Sequence, residues 1–254
     1  MMFKVKRTLP VAEQIEILAL GDLHNGNPNA RFDKFQESIN YIKDTPNCYA
    51  IFMGDLIEAI LPSDKRYSAT DPYRNINTLK KEIKDALEPI KDKILLMLTG
   101  NHEIKLDKQG YGCPIAWMCQ ELGIPYGGIS AFIKLKCFPK THYADLMIYA
   151  FHGYSAGRKT GASINNVENL SQYYDADVFL VGHSHKLVTT KQVMISYYGY
   201  KTKLFCNTGT FLETASYGTT GYGEIAGYPP LRLGCPKIKW YPLKKNGNNI
   251  YASE

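Results

Sequence analysis

The sequence has no closely spaced pair of cysteines. Six cysteines are scattered along 254 residues without a CxxC pattern or a regular interval: Cys48, Cys113, Cys119, Cys137, Cys206 and Cys235. Disulfide-stapled secreted scaffolds are far smaller than this chain, and thiolate zinc sites use closely spaced cysteine pairs, so the sequence favours neither. We expect reduced thiols that pack in the interior of a cytoplasmic protein.

Long apolar runs are also missing. No stretch approaches the roughly 20 apolar residues of a membrane-spanning helix. The N-terminal apolar segment contains Glu13 and Glu16 and lacks a small-residue cleavage site, which argues against a signal peptide. We therefore expect no membrane partner.

The chain also lacks internal repeats, low-complexity tracts and linkers. Its composition, 44% hydrophobic and 21% charged residues, is that of a globular protein and excludes disordered, collagenous and coiled-coil chains. The length fits one large α/β unit, and we expect a single domain over residues 1–254. The net charge of +6 is compatible with anionic substrates, although charge alone is more typical of a lysine-rich surface.

Short apolar runs in the first half predict buried strands at residues 15–20, 49–53 and 94–98. Amphipathic helices are predicted between them, the first with Asn29 as its N-cap and the second over residues 76–90. Alternating strands and helices predict a largely parallel sheet covered by helices. Because each strand ends in a polar cluster, these clusters should converge at one edge of the sheet.

The second half is predicted to continue with further helices and strands. We expect helices over residues 114–122 and 164–174 and strands over residues 131–137, 146–151 and 178–181. Residues 186–254 then alternate in β-branched and aromatic residues, which indicates antiparallel strands and hairpins, with an irregular loop over residues 217–230.

Five of the six histidines fall at or just past predicted strand ends: His24, His102, His152, His183 and His185, with His142 the exception. A lone histidine is usually structural, but five in such positions indicate a metal site. Asp22 and His24 are two residues apart and so leave the same side of an extended segment, as do His183 and His185. Asp55 adds a second carboxylate whose two oxygens can bridge two cations, and Asn101 adds an amide oxygen.

This set of two carboxylates, one amide and four imidazoles is large enough for two adjacent ions if Asp55 is shared. Mixed nitrogen and oxygen ligands suit Mn, Fe, Zn, Co or Ni better than Mg or Ca. We therefore expect two divalent transition-metal ions, with manganese the leading candidate.

In order along the chain, these residues resemble the five motifs of the calcineurin-like metallophosphoesterases. The motifs lie within residues 21–185: Asp22-Leu-His24, Gly54-Asp55-Leu-Ile-Glu58, Gly100-Asn101-His102-Glu103, His152-Gly153 and Gly182-His183-Ser184-His185. Together they are specific, although each alone is weak. The resemblance, to compact bacterial and phage members above all, implies a two-sheet α/β sandwich with mixed sheets flanked by helices.

The resemblance also implies roles for individual residues. One metal would be held by Asp22, His24, Asp55 and His185, and the other by Asp55, Asn101, His152 and His183. His102 would contact the substrate phosphate or the leaving oxygen, and Glu58 would orient it. The implied reaction is hydrolysis of a phosphate ester by a metal-bridging hydroxide attacking phosphorus in line.

The substrate is less defined than the chemistry. Protein phosphatases of this family usually carry an arginine after the second motif, where this chain has Ala59, so we favour phosphodiesters of nucleotides or nucleic acid. Arg74, Arg158 and Lys159 are candidate phosphate contacts.

Several alternatives stay open at this point. The protein could be a phosphomonoesterase or protein phosphatase, a silent scaffold of the same fold, or a basic nucleic-acid binder with structural metals. Tyrosines after residue 196 could stack on bases, although packed or loop positions are the commoner use: Tyr197, Tyr198, Tyr200, Tyr217, Tyr222 and Tyr228. The oligomeric state is not predicted.

Overall fold

The computed structural model describes residues 2–60, 64, 74–140, 143–154, 159–197, 199–214, 229–244 and 249–253. Within these ranges the strands, in chain order, are β1 (Phe3–Thr8), β2 (Ile15–Leu20), β3 (Cys48–Phe52), β4 (Ile94–Met97), β5 (Ser130–Cys137), β6 (Ala144–Phe151), β7 (Val178–Val181), β8 (Leu187–Ser196), β9 (Gly199–Thr208), β10 (Lys237–Trp240) and β11 (Ile250–Ser253). They form a six-stranded sheet in the order β1-β5-β6-β7-β9-β8 and a five-stranded sheet in the order β11-β10-β2-β3-β4.

Both sheets are mixed. In the five-stranded sheet β2, β3 and β4 are parallel, as predicted, and β10 pairs with β2 in the antiparallel sense. In the six-stranded sheet β6, β7 and β9 are parallel neighbours, and β8 and β9 form an antiparallel hairpin. The C-terminal part of the chain therefore completes both sheets, while the prediction of one domain over residues 1–254 stays a prediction.

The helices are α1 (Phe32–Asp44), α2 (Ile76–Leu87), α3 (Asn101–Leu106), α4 (Pro114–Leu122) and α5 (Thr160–Asn169). Short 3-10 turns follow α2 and α5, and a π-helical turn follows α3. The prediction for α4 is confirmed to the residue, whereas α5 begins four residues earlier than predicted and α3 was not predicted.

The predicted N-cap of α1 was wrong. Arg31 occupies the N-cap position without a side-chain cap, and the Asn29 backbone N–H instead donates to Asn27 Oδ1 at 3.0 Å. A turn thus separates Asn29 from the helix. The Arg31 guanidinium pairs with Asp33 and Glu213, so the helix entry is fixed by ion pairs rather than by an asparagine.

The hydrophobic core lies in three layers. Between the sheets, inward side chains such as Ile17, Ile51 and Leu180 form one buried cluster. The outer face of the five-stranded sheet packs on α1, α2 and α4, and the outer face of the six-stranded sheet packs on α5 through residues such as Phe179 and Val167. The predicted α/β sandwich of two mixed sheets flanked by helices is confirmed.

The β8–β9 hairpin extends past the amino end of β7, which pairs only with residues 204–207 of β9. Its tip exposes large side chains, including Ile195, Tyr197 and Tyr200. Because the histidine motif follows the carboxyl end of β7, Tyr197 and Tyr200 lie at the opposite end of that strand. The other tyrosines considered for base stacking, the loop over residues 217–230 in its larger part, and His142 lie outside the described residues.

In the ranges given above, no helix combines the length and the apolarity that crossing a bilayer requires.

Candidate metal centre

Five loops that follow strands bring the predicted ligands together at one end of the two sheets. β2, β3 and β4 of one sheet and β6 and β7 of the other lead directly into these loops, which carry Asp22, His24, Asp55, Asn101, His152, His183 and His185. β2, β4 and β7 are buried along their length, β3 is buried except at Tyr49, and β6 is buried in part. The convergence predicted from the strand ends is therefore present in the structure.

A first cluster consists of Asp22, His24 and His185, whose ligand atoms lie within 4.8 Å of one another. His185 Nε2 is 3.4 Å from Asp22 Oδ1 and 3.1 Å from His24 Nε2. Asp22 and His24 are buried, while His185 is partly exposed. One carboxylate and two imidazole nitrogens thus face a common point.

A second cluster consists of Asp55, His152 and His183. Asn101 Oδ1 lies against it, 3.0 Å from His152 Nε2 and 2.7 Å from His183 Nδ1. His152 Nδ1 lies 2.7 Å from the Met53 carbonyl, which places a proton on Nδ1 and makes Nε2 the ring nitrogen directed at the site. Together with Asn101, this cluster makes up the four residues that the resemblance assigned to one metal.

Asp55 lies between the two clusters. Its Oδ2 is 3.4 Å from His152 Nε2 of the second cluster and 4.0 Å from His24 Nε2 of the first. Its Oδ1 accepts a hydrogen bond from the His102 backbone N–H at 2.9 Å. The sequence suggested a bridge through both oxygens, whereas the structure directs one oxygen, Oδ2, toward both clusters.

The backbone at these positions is unusual. Within the described residues, six non-glycine residues have positive φ, and five belong to the two clusters: Asp22, His24, Asp55, His183 and His185, with φ from 50° to 64°. The left-handed region is disfavoured for side chains with a Cβ, and asparagine, aspartate and histidine tolerate it best. Such strain concentrates at functional sites.

Two glycines allow the second and third motif loops to touch. A Cβ at Gly54, where φ is +91°, would lie 2.4 Å from Gly100 N, and a Cβ at Gly100 would lie 2.1 Å from Asp55 Oδ1. Neither contact is sterically feasible. Glycine at both positions is therefore required for Asp55 to reach its place.

Glu103 was quoted within a motif but was given no role from the sequence. Its buried carboxylate accepts hydrogen bonds from four backbone N–H groups, those of Gly100, Asp55, Leu56 and Ile57, at 2.7 to 3.1 Å. Burial and the charge of Asp55 raise the pKa of Glu103. Glu103 thus joins the Asp55 loop to the start of α3, where Asn101 lies.

Glu58 contacts two histidines. Its Oε1 is 2.6 Å from His102 Nδ1, and its Oε2 is 3.7 Å from His24 Nδ1. Burial lowers the pKa of His102, but the charges of Asp55 and Glu58 outweigh burial and raise it to about 9. In the metal-free protein His102 is therefore protonated at neutral pH and can donate to an anionic oxygen.

The carboxylates of the site are ionised. Burial alone would raise the pKa of Asp22 and of Asp55, but the neighbouring histidines, His185 for Asp22 and His152 for Asp55, lower both. Burial, reinforced by the charge of His102, lowers the pKa of His24 to about 4. His24 is therefore neutral, the state in which imidazole binds a metal.

The structure describes two of the three predicted phosphate contacts, Arg74 and Lys159. Arg74 pairs with Glu82, which also accepts from Asn25 Nδ2 at 3.0 Å. Lys159 is exposed at the N-cap of α5, and Arg158 lies outside the described residues.

A lysine that the sequence analysis did not single out lies nearer the second motif. Lys105 Nζ donates to the Ala59 carbonyl at 2.9 Å and pairs with Asp64. The Ala59 N–H in turn faces His102 Nδ1 at 3.2 Å. One turn of α3 separates Lys105 from Asn101, which is the spacing that could have identified it.

The residues present fit divalent metal ions. Asp22 Oδ1 and His24 Nδ1 are buried and have no hydrogen-bonding partner among the described residues. The facing Nε2 atoms of His24 and His185 attract each other only if a proton or a cation lies between them. A donor set of carboxylate oxygens, an amide oxygen and imidazoles is that of a transition-metal site.

Comparison with known proteins identifies one family. The family model described as calcineurin-like phosphoesterase matches residues 15–187, well over half of the chain. Similar solved structures include Vps29 from Chaetomium thermophilum, with 14% identity over 94% of this chain and 96% of that chain and a TM-score of 0.42.

Two further solved structures are similar at comparable levels. NAD nucleotidase (NadN) from Haemophilus influenzae is 11% identical over 95% of this chain and 49% of that chain, with a TM-score of 0.44. A metallophosphoesterase from Sphaerobacter thermophilus is 12% identical over 94% of this chain and 88% of that chain, with a TM-score of 0.40. No curated protein sequence matches the chain significantly.

Proposed function

The chain belongs to the calcineurin-like phosphoesterases, and on that premise we propose that it hydrolyses phosphodiesters of nucleotides or nucleic acid with two divalent metal ions. One ion would be held by the first cluster and the other by the second cluster with Asn101. Asp55 would be the ligand common to both. Manganese is the proposed metal, because the donor set mixes nitrogen with oxygen.

The position of Asp55 Oδ2 is the observation that carries this proposal. It lies within 4.0 Å of an imidazole nitrogen from each cluster, so a single oxygen can serve two ions. A structural metal site needs only one closed shell of ligands. Two clusters that meet at one carboxylate oxygen are instead the arrangement that two-metal hydrolysis requires.

When bound, two divalent ions would supply positive charge for the phosphate oxygens and would lower the pKa of a bound water to near neutrality. The protein's own contribution begins with ligand geometry. His152 is oriented by the Met53 carbonyl, and the Asp22 Oδ2 atom accepts from the His183 backbone N–H at 3.0 Å. These contacts hold the ligands in place before any substrate arrives.

His102 is proposed to act on the substrate rather than on a metal. Glu58 contacts His102 Nδ1, and Asp55 accepts a hydrogen bond from the His102 backbone N–H. Nε2 is therefore the ring nitrogen that we propose for contact with the substrate. Held protonated by these carboxylates, it can donate a hydrogen bond or a proton to the departing oxygen. Glu58 orients His102 and sets its charge.

A phosphodiester is favoured over a phosphoprotein because Ala59 stands where protein phosphatases of the family usually have arginine. Among the described residues, Lys105 donates to the Ala59 carbonyl and pairs with Asp64. Arg74, Arg158 and Lys159 remain proposed contacts to more distant phosphates. The six cysteines are free thiols, in keeping with the proposed cytoplasmic location.

The test compares two chromogenic substrates. Chelator-stripped protein is supplied with Mn²⁺ and assayed on bis-p-nitrophenyl phosphate and on p-nitrophenyl phosphate. Diester turnover well above monoester turnover is expected, and Asp55→Asn should abolish it while Asp44→Asn, a change of an exposed aspartate in α1, should not. Higher monoester turnover would identify a phosphomonoesterase, and no turnover of either would refute the proposed function.

A further inference from the structure

A small cavity lies behind the turn that carries His183 and His185. Its walls include Phe151 and Val181 from the ends of β6 and β7, Ser163 from α5, Ser184 from the turn and Asn207 from β9. The space open to the centre of a water molecule is about 10 Å³. That is about the smallest volume that holds one water.

Two residues that line this cavity carry a buried polar atom with no hydrogen-bonding partner among the described residues. Ser163 and Asn207 are each 1% exposed, and neither Ser163 Oγ nor Asn207 Nδ2 has a hydrogen-bonding partner in the described part of the chain. Leaving a buried donor unsatisfied costs about 1–3 kcal/mol, so such atoms in a native protein usually bind an ordered water. Both residues line the same water-sized space.

The other end of the Asn207 amide is tied to the metal turn. Asn207 Oδ1 accepts a hydrogen bond from Ser184 Oγ at 3.2 Å, and Ser184 Oγ lies 3.4 Å from the Lys186 N–H. Ser184 stands between His183 and His185, both of which have positive φ. Asn207 is itself fixed in the sheet, where it pairs with Val181 at the end of β7.

We propose that Asn207 is a positioning residue for the His183–His185 turn, held in its rotamer by a water bound between Asn207 Nδ2 and Ser163 Oγ. The amide cannot rotate without breaking either the bond to Ser184 or the bond to the water. Through Ser184 it fixes the backbone from which both histidines project toward the two clusters. This inference rests on the proposed function in that it concerns the same metal site.

The proposed relay also reaches Lys159, a candidate substrate contact. The Ser163 backbone N–H donates to the Lys159 carbonyl at 3.3 Å in the first turn of α5. Ser163 therefore joins the segment around Lys159 to the metal turn through Asn207. A shift of α5 on substrate binding would be transmitted to one ligand from each cluster.

Metal affinity tests the relay without any substrate. Mn²⁺ is titrated into chelator-stripped protein by calorimetry for the wild type, Ser184→Ala, Asn207→Ala, Ser163→Ala and the control Ser171→Ala, whose hydroxyl donates to the Glu168 carbonyl. Loss of groups that orient metal ligands typically weakens binding 10–100-fold. We expect that loss for Ser184→Ala and Asn207→Ala, a smaller loss for Ser163→Ala and none for Ser171→Ala.

Ser184→Thr retains the hydroxyl and should restore wild-type affinity, which a general loss of stability would not allow. Circular dichroism of each metal-free variant at the titration temperature identifies any that fail to fold, and Ser184→Ala, on a partly exposed turn, keeps the test decisive if Asn207→Ala does not fold. Affinities of Ser184→Ala and Asn207→Ala equal to that of Ser171→Ala would overturn the relay.

The bridging water has its own test. A high-resolution crystal structure should show one water within hydrogen-bond distance of Ser163 Oγ and Asn207 Nδ2, and a dry cavity would overturn this part of the inference. The outcome is separable from that of the proposed function. Protein that binds two Mn²⁺ ions but hydrolyses no ester would refute the function and leave the relay to be decided by the titrations.

Discussion

The two clusters differ in how many of their ligand atoms have hydrogen-bonding partners within the protein. In the second cluster Asn101 Oδ1 contacts both imidazoles, and the Met53 carbonyl fixes His152. In the first cluster Asp22 Oδ1 and His24 Nδ1 are buried without hydrogen-bonding partners among the described residues. The second cluster is therefore preorganised by the chain, whereas the geometry of the first depends more on the ion that it binds.

The largest expected effect comes from the residue that both clusters share. Asp55→Asn should weaken both ions and lower kcat/KM by about 10³-fold or more, since two-metal charge stabilisation contributes several kcal/mol. Calorimetric Mn²⁺ titration and the diester assay measure the two losses, with Asp44→Asn as control. If His185→Ala abolished both ions while Asp55→Asn bound both, Asp55 would not be the common ligand.

The next effect concerns a residue that belongs to neither proposed metal shell. His102→Ala should retain two Mn²⁺ ions but lower kcat on a diester with an alkoxide leaving group by about 10²–10⁴-fold. The loss on bis-p-nitrophenyl phosphate should be smaller, because p-nitrophenol leaves easily. Equal losses on the two substrates would indicate phosphate binding instead of acid catalysis, and loss of metal would make His102 a ligand.

A third change tests how much Glu103, which supports the second cluster, contributes to the stability of the metal-free protein. Glu103→Gln places an NH₂ group against backbone N–H donors near the second cluster and should lower the free energy of unfolding by about 1–3 kcal/mol. Urea denaturation of the metal-free protein measures this, with Glu121→Gln, on the exposed face of α4, as the matched control. Equal stability of the two variants would contradict the role of Glu103.

The smallest expected effect is a difference between the ions themselves. Mn²⁺ titration of the wild type should show two equivalents, the preorganised second cluster binding about 10-fold tighter than the first. Asp22→Ala should remove the weaker equivalent and leave the tighter one. A ceiling of one equivalent in the wild type, unchanged by Asp22→Ala, would exclude two sites.

The sequence predicted best the strands that are buried on both faces. β2, β3, β4 and β7 are apolar runs interrupted only by Glu16 in β2, and their predicted ends fall within one residue of the observed ones. β1 was not predicted, because its FKVKRT alternates charged with apolar residues at the edge of a sheet and most of its side chains are exposed. Hydrophobic patterns in a sequence indicate burial, and the side chains of β1 are exposed or only partly buried.

The candidate site likewise contains residues that the sequence predicted and residues whose roles it did not. The spacing of Asp22 and His24, and of His183 and His185, marked side chains that converge in the structure. Glu103 was quoted within a motif without a role and Asn207 was not singled out, because their partners are backbone amides and a serine hydroxyl brought close by tertiary structure. Side chains that bind ions carry a recognisable residue type, whereas those that orient them do not.

The left-handed backbone of the proposed ligands limits how the protein can evolve. Each such residue costs on the order of 1–3 kcal/mol, which glycine would largely avoid. Glycine at Asp22 or His185 would thus favour folding and remove a ligand in the same step, a conflict between stability and activity. Selection for the ligands therefore keeps these loops less stable than the sheets that carry them, and in the metal-free protein they should exchange amide hydrogens before the strands do.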